Sequence, residues 1–407
     1  MLVEFKFKNF WSYKDETKLL MTKVKSFKEL EATTVFSAKD LELLKTTAIY
    51  GSNGGGKSNL IKALGYMMKV IHNSYRDSLL KENERRSYKS NNYFKLSEET
   101  EQKPSHFEVS FIQNEVLFRY GFEIKGYEIE KEWLYRKKEA ETMLFERTNQ
   151  IFKINSSGFS EGEKYKESVN PNVLFLSYLS QNNAPISSEI FQWFDNVYVI
   201  SGLYNKHFES VTKSLLLVNN ENFRKWLSVA VKFLNIANIA INSENKRIIA
   251  YHNKFDKNNI IKENVAFDLE SEESDGTTKL VYLLGAIYDT LLNKRILFID
   301  EIDSKFHPNL TKKIISFFHV FNKNNAQFVF TAHDPILLDK ELFRRDQIWF
   351  VDKNKFGESE LYPMSDFDAS VVRNTSDYRK KYLEMCFGAA KSIDISQQLI
   401  DLMYGKD

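Results

Sequence analysis

Strict alternation opens the chain. In "LVEFKFKNF" (Leu2–Phe10) apolar residues take nearly every second position, which predicts a strand with one buried face. The same period returns in "HFEVSFIQNEVLFRYGFEI", on both sides of Gln113-Asn114, and predicts a hairpin. It recurs in "EIEKEWLYR" and "ETMLFERTNQIFKIN", so an antiparallel subsheet is expected. Elsewhere the runs are apolar throughout. "RILFID", "AQFVFTA" and "QIWFVDK" are short and bounded by turns or helices, the pattern of parallel strands buried on both faces. Helical spacing follows Gly56 and dominates from about Asn170 to Ile241, as in "NFRKWLSVAVKFLNIANIAI". A strand pair, "KRIIAYHN" and "ENVAFDL", then leads into a polar turn and an apolar helix, "ESEESDGTTKLVYLLGAIYDTLL".

The pattern predicts an α/β protein with a mixed core sheet built from both chain ends. The expected division is an N-terminal part of that core at 1–169, an inserted helical lobe at 170–262 and a C-terminal part at 263–407. Residues 76–103 are polar and charged and read as a surface connection. Composition changes this picture little. The net charge of +2 argues neither for nor against a nucleic-acid partner. A single cysteine, Cys386, excludes an intramolecular disulfide and fits a reducing cytoplasm. No apolar run approaches the roughly 20 residues of a membrane span, and the alternating start is unlike a signal peptide. A soluble cytoplasmic protein is expected.

Glycine is where composition speaks. The chain has only 15, yet four fall within Gly51-Ser52-Asn53-Gly54-Gly55-Gly56, followed by Lys57, Ser58 and Asn59. This fits G-x-x-x-x-G-K-[ST], with an apolar strand before it and an amphipathic helix after it. Glycines let successive backbone N–H groups turn inward around a phosphate, and the helix start adds its positive end. Lys57 is expected to reach the β- and γ-phosphates of ATP, and Ser58 to offer Mg²⁺ a hydroxyl. Two carboxylates close the strand "RILFID". Asp300 suits Mg²⁺, directly or through a bound water, and Glu301 suits the attacking water. His333, at the end of "FVFTAH", is placed to contact the γ-phosphate.

In this order, "FKNFWSYKD", "GSNGGGKS", "ILFIDEIDSKFHP" and "FTAHDP" resemble the ATP-binding-cassette ATPases of the SMC and RecF kind. More narrowly, with "LFLSYLSQNN" and the ending "SDFDASVVRNTSDYRKKYLEMCFGA", the chain resembles stand-alone ATPases of bacterial abortive-infection and anti-phage systems. The resemblance implies an ABC-ATPase fold and an ATP site completed by a second subunit. Ser274 and Gly276, in "ESDGTTKLVYLL", take the place of the signature motif, in a form that departs from "LSGGQ". Taken alone, the same tetrapeptide reads as a helix N-cap. Asp303 and Ser304 fall in the loop that meets the opposite subunit in that family. No glutamine loop is assigned, since Gln113 falls in the hairpin turn.

The implied protein is an ATP-gated homodimer or higher homo-oligomer that senses or regulates through a separate effector, for instance a nuclease. Only about 70 residues follow His333, too few for an appended nuclease domain. The alternative is a RecF-like repair ATPase clamping DNA, with Arg85-Arg86, Arg136-Lys137-Lys138 and Arg379-Lys380-Lys381 as phosphate contacts. A transporter subunit is disfavoured by the missing "LSGGQ" and the absence of membrane helices. Phe191, Trp193, Phe223 and Trp226 are core by their helical spacing, or else a docking face for a partner.

Overall fold

The computed structural model describes residues 1–81, 84, 92–202, 206–218, 220–368, 370–373, 375–389 and 402–404. The Arg85-Arg86 pair lies outside the described residues. Strands β1 (Leu2–Lys8) and β2 (Thr17–Leu20) precede a one-turn helix α1 (Glu31–Thr34) and the short hairpin of β3 (Val35–Ala38) and β4 (Leu41–Leu44). Strand β5 (Thr46–Gly51) then feeds the long helix α2 (Lys57–Ser78), and α3 (Glu98–Glu101) follows. Five consecutive strands come next: β6 (Ser105–Gln113), β7 (Val116–Lys125), β8 (Glu128–Lys137), β9 (Glu141–Thr148) and β10 (Ile151–Ile154).

The middle of the chain runs through α4 (Ser160–Tyr165), α5 (Phe175–Gln181), α6 (Pro185–Asp195), β11 (Val197–Ser201), α7 (Lys206–Leu217) and α8 (Glu221–Ala230). A three-stranded sheet of β12 (Ile236–Ile241), β13 (Ile248–Phe255) and β14 (Ile261–Asp268) follows. The last part holds α9 (Asp275–Leu292), β15 (Ile296–Asp300), α10 (Pro308–Phe321), β16 (Gln327–Thr331), β17 (Ile348–Lys353), β18 (Ser359–Pro363) and α11 (Tyr378–Leu383).

The alternating segments form one antiparallel sheet in the order β10-β9-β8-β7-β6-β1-β2. Its expected hairpin is present, with the turn one residue later than the sequence suggested. Asn114 and Glu115 both take positive φ (47° and 60°), the twist a two-residue hairpin needs. The core sheet has the order β11-β15-β16-β5-β17-β18, with only β18 antiparallel to its neighbour. Strands β5, β15 and β16 are buried along their whole length, as their apolar runs required.

Alternate residues of these strands enter two different apolar clusters. Ile49, Phe298, Val329 and Trp349 pack with α2, α5, α6 and the antiparallel sheet. Ala48, Tyr50, Leu297, Ile299, Phe328, Phe330 and Phe350 pack with α8, α9, α10 and α11. The two-residue strand period thus fixes a three-layer body, with the core sheet as its middle layer.

Segment 170–262 is not the helical insertion expected: "IANIAI", read as helical, is strand β12, paired with β13. Its β11, "VYVIS", pairs in parallel with β15 from Val197↔Ile296 to Ser201↔Asp300 and extends the core sheet by one strand. β-Branched residues fill a short run there, and pairing to the exposed side of β15 overrides the surrounding helical pattern. Trp193 and Phe223 are buried, Trp193 stacking on Phe111 with centroids 4.1 Å apart, so packing accounts for both. No helix among the described residues is long and apolar enough to cross a membrane.

Candidate nucleotide site

The carboxyl ends of β5, β15, β16 and β17 share one edge of the core sheet, where ligand crevices of open parallel sheets lie. The glycine loop runs from Gly51, the last residue of β5, to Gly56, the residue before α2. Two of its glycines carry real constraints. Gly56 has φ +126°, and a Cβ there would stand 2.3 Å from Ser359 Oγ. Gly51 passes so close to β17 that a Cβ would meet the Val351 carbonyl oxygen at 2.2 Å. The loop therefore lies tight against the sheet, and no side chain of its own caps the start of the 22-residue α2.

A cleft of about 690 Å³ opens over this loop, lined by Ser52, Asn53, Gly54, Gly56, Lys57, Ser58 and Asn59. The same cleft is lined by Glu301 and His333, past the ends of β15 and β16, and by Lys353 at the end of β17. Lys57 is buried, and its Nζ donates to the carbonyls of Gly51 (2.7 Å) and Ser52 (3.2 Å), folded back over the glycine loop. Burial pulls its ammonium down to about 8, against the opposing charges of Asp300, Glu301 and Asp303. A phosphate is the natural partner for a desolvated cation at the N-terminus of a helix.

Thr331, the last residue of β16, organises the acid pair. Its Oγ1 donates to Asp300 Oδ1 and accepts the Glu301 N–H, both at 2.7 Å. Glu301 takes a left-handed backbone (φ 55°), which turns the chain sharply off β15. Its Oε1 lies 3.6 Å from His333 Nε2. Asp303 Oδ2 accepts the backbone N–H groups of His333 and Asp334, both at 2.8 Å, and so ties the two strand ends together. Asp300 is buried behind this pair. Among the described residues no group of three or more His, Cys, Asp or Glu is arranged to hold a metal ion by itself. The oxygen donors on hand, the Ser58 hydroxyl and the Asp300 carboxylate, are hard ligands that suit Mg²⁺ completed by phosphate and water.

Ser274 and Gly276 do not line this cleft. Ser274 is exposed and caps α9, its Oγ accepting the Thr277 N–H at 3.1 Å. Gly276 lies against the loop after the acids, where a Cβ would stand 3.3 Å from the Lys305 carbonyl oxygen. The local structure is thus the helix cap that the tetrapeptide alone suggests. It leaves the helix start open to the outside.

Several site residues escaped the sequence reading. Ser12 and Ser359 brace the loop from behind. Ser359 Oγ donates to Gly55 O (2.6 Å) and accepts from the Ser12 hydroxyl (2.8 Å), and Asn59 Nδ2 donates to Ser12 Oγ (2.8 Å). Tyr13 donates its hydroxyl to Gly56 O at 3.2 Å. Gly202, just past β11, donates its N–H to Asp300 O at 2.6 Å. Only "FKNFWSYKD" carried a signal for Ser12 and Tyr13. Ser359 and Gly202 reach the site through strand pairing alone.

A glycine loop ending a central parallel strand, a buried lysine opening the next helix and an acid pair two strands away define a P-loop nucleotide-binding ATPase domain. Residues 46–339 match the family described as "AAA domain, putative AbiEii toxin, Type IV TA system", and the chain belongs to that family. No curated protein matches the sequence. Similar solved structures include the SMC head domain from Thermotoga maritima, at 14% identity and TM-score 0.42, covering 89% of this chain and 98% of that one. Another is the SmcHead bound to the C-winged helix domain of ScpA, at 14% identity and TM-score 0.44, covering 91% and 99%. A third is the Smc head domain with an extended coiled coil, bound to the C-terminal domain of ScpA derived from Pyrococcus furiosus. It shares 14% identity at TM-score 0.40, covering 89% and 96%.

Proposed function

We propose that this chain binds and hydrolyses Mg-ATP in a two-fold pair of chains, and that the cycle regulates a separate effector in bacterial anti-phage, abortive-infection defence. The observation that carries the ATPase reading is the convergence of the glycine loop, Glu301 and His333 on one cleft. The backbone N–H groups of residues 51–58 and the start of α2 take the β- and γ-phosphates. Lys57 exchanges its two carbonyl contacts for phosphate oxygens. Ser58 and Asp300 hold Mg²⁺, which when bound supplies positive charge against the phosphate oxygens. Glu301 orients a water and accepts its proton, and His333 stands beside it at the γ-phosphate.

Ser274 and Gly276 lie outside their own cleft, with Ser274 exposed, and close the phosphate end of a site on a second chain. Two such contacts make a self-complementary pair that ATP holds together and hydrolysis releases. The defence role is supported by the family's description, "AAA domain, putative AbiEii toxin, Type IV TA system". DNA affinity that strengthens with ATP and falls steeply with salt would replace the effector by a DNA clamp.

The test is calorimetric Mg-ATP binding beside phosphate release. Lys57→Ala is expected to lose about 100-fold in affinity, since two charge-assisted bonds at about 1.5 kcal/mol each disappear. Glu301→Gln is expected to bind normally and release no phosphate. Unchanged affinity in Lys57→Ala sinks the proposal.

A further inference from the structure

The roles above leave several buried cations unused, among them Lys279. Lys279 lies one turn into α9, just past Ser274 and Gly276, and is 1% exposed. Its Nζ donates to Ile302 O (3.2 Å), Ser304 O (2.5 Å) and Ser304 Oγ (2.7 Å), which uses all three protons of an ammonium. The charge also sits 4.6 Å from the centre of the Phe306 ring. Every oxygen it holds belongs to the loop that follows the acid pair.

That loop needs holding. Glu301 and Lys305, at its two ends, both take left-handed backbone (φ 55° and 64°). Such conformations cost about 1–3 kcal/mol each and persist only where surroundings enforce them. Between them, Asp303 ties the loop to His333 and Asp334, and Ser304 Oγ donates to Gly202 O at 3.1 Å. A second link to α9 runs from Lys305 Nζ to Asp275 Oδ2 (2.7 Å), but both side chains are exposed, and such a pair contributes about 0–1 kcal/mol. The buried ammonium is the main fastening between the start of α9 and the acid loop.

We propose that Lys279 is a positioning residue for hydrolysis. It locks the Glu301–Ser304 loop to the start of α9, so that a phosphate bound at Ser274 and Gly276 from a second chain acts on the placement of Glu301 and His333 in the first. This rests on the paired-ATPase reading above. Lys279 touches no nucleotide itself. Its removal frees a strained loop and moves the Glu301 carboxylate off the water, while the glycine loop stays as it is.

The experiment uses the full chain. Lys279→Met keeps the length of the side chain and removes its donors; Ser304→Ala removes one acceptor at a half-buried position and serves if the methionine variant does not fold. Mg-ATP dissociation constants, kcat for phosphate release and thermal melts are measured for both, with Lys279→Arg as the conservative variant. Lys279→Met is expected to lose about 10-fold or more in kcat with its Kd within about 3-fold of wild type, a split that a general loss of fold does not produce. Ser304→Ala is expected to lose about 3-fold, and Lys279→Arg to recover part of the rate. Wild-type kcat in both Lys279→Met and Ser304→Ala overturns the role of Lys279 alone. Parallel losses of Kd, kcat and melting temperature overturn it too, as they mark a merely structural lysine. A wild-type chain that neither binds nor hydrolyses Mg-ATP overturns both this role and the function it rests on.

Discussion

Two glycines in the phosphate loop make a controlled comparison. Gly54 and Gly56 both have positive φ (76° and 126°), but a Cβ on Gly54 meets nothing within 4 Å. A Cβ on Gly56 would stand 2.3 Å from Ser359 Oγ, 2.9 Å from Ser359 Cβ and 3.1 Å from Ser12 Oγ. Alanine at 54 therefore carries only backbone strain, about 1–3 kcal/mol. Alanine at 56 carries the strain and also displaces Ser359, breaking its bonds to Gly55 O and Ser12 Oγ, at about 1 kcal/mol each. The difference is about 2 kcal/mol, or about 30-fold in affinity where it falls on the shape of the loop.

The assay is Mg-ATP binding by calorimetry, with thermal melts alongside. Gly56→Ala is expected to bind more weakly than Gly54→Ala by about that factor and to melt lower. Adding Ser359→Gly removes the obstructing side chain and is expected to restore part of the loss in Gly56→Ala while helping Gly54→Ala not at all. Equal affinities for the two alanine variants, or no recovery with Ser359→Gly, refute the brace drawn from β18 to the loop.

Other outcomes follow from the same geometry. Lys57 titrates near 8 because burial disfavours its charge, and a bound phosphate favours the charged form. Mg-ATP affinity is therefore expected to fall as pH rises through 8, by up to about 10-fold per unit, with Lys57→Met flat over the same window. Thr331→Val removes both hydrogen bonds that hold the acid pair, about 2 kcal/mol in all, and is expected to lower kcat/KM about 30-fold in phosphate-release assays, with part of the loss appearing as weaker Mg-ATP binding through Asp300. Glu132 is fully buried and accepts the N–H groups of Phe175 and Leu176 beside Arg147. Glu132→Ala leaves Arg147 uncompensated, at about 3–5 kcal/mol of stability, and is expected to lower the melting temperature without touching nucleotide affinity.

The fold was legible where one force governed a segment. Alternation marked β1 and the β6–β10 succession because only one face of that sheet is buried. Unbroken apolar runs marked β5, β15, β16 and β17 because both faces are covered. The reading blurred in segment 170–262, where β11 owes its existence to pairing with β15 and no local period announces it. The site divides in the same way. The glycine loop, the acids and His333 are contiguous in sequence with the strands that carry them. Ser12, Ser359, Gly202 and Thr331 act through neighbours 30 or more residues away, brought close by sheet order. Lys279 was hidden for a different reason: on an apolar helix a single lysine reads as solvated, and only the fold places carbonyls around it.

The most direct test of the account is the light-scattering mass of Glu301→Gln with and without Mg-ATP. Removing the carboxylate that activates water leaves phosphate binding intact, so the ATP-bound pair accumulates. The account predicts a mass that doubles only when Mg-ATP is present, with Ser274→Ala reducing the doubled fraction. A mass indifferent to Mg-ATP contradicts it, and the trans role of Ser274 and Gly276 falls with it.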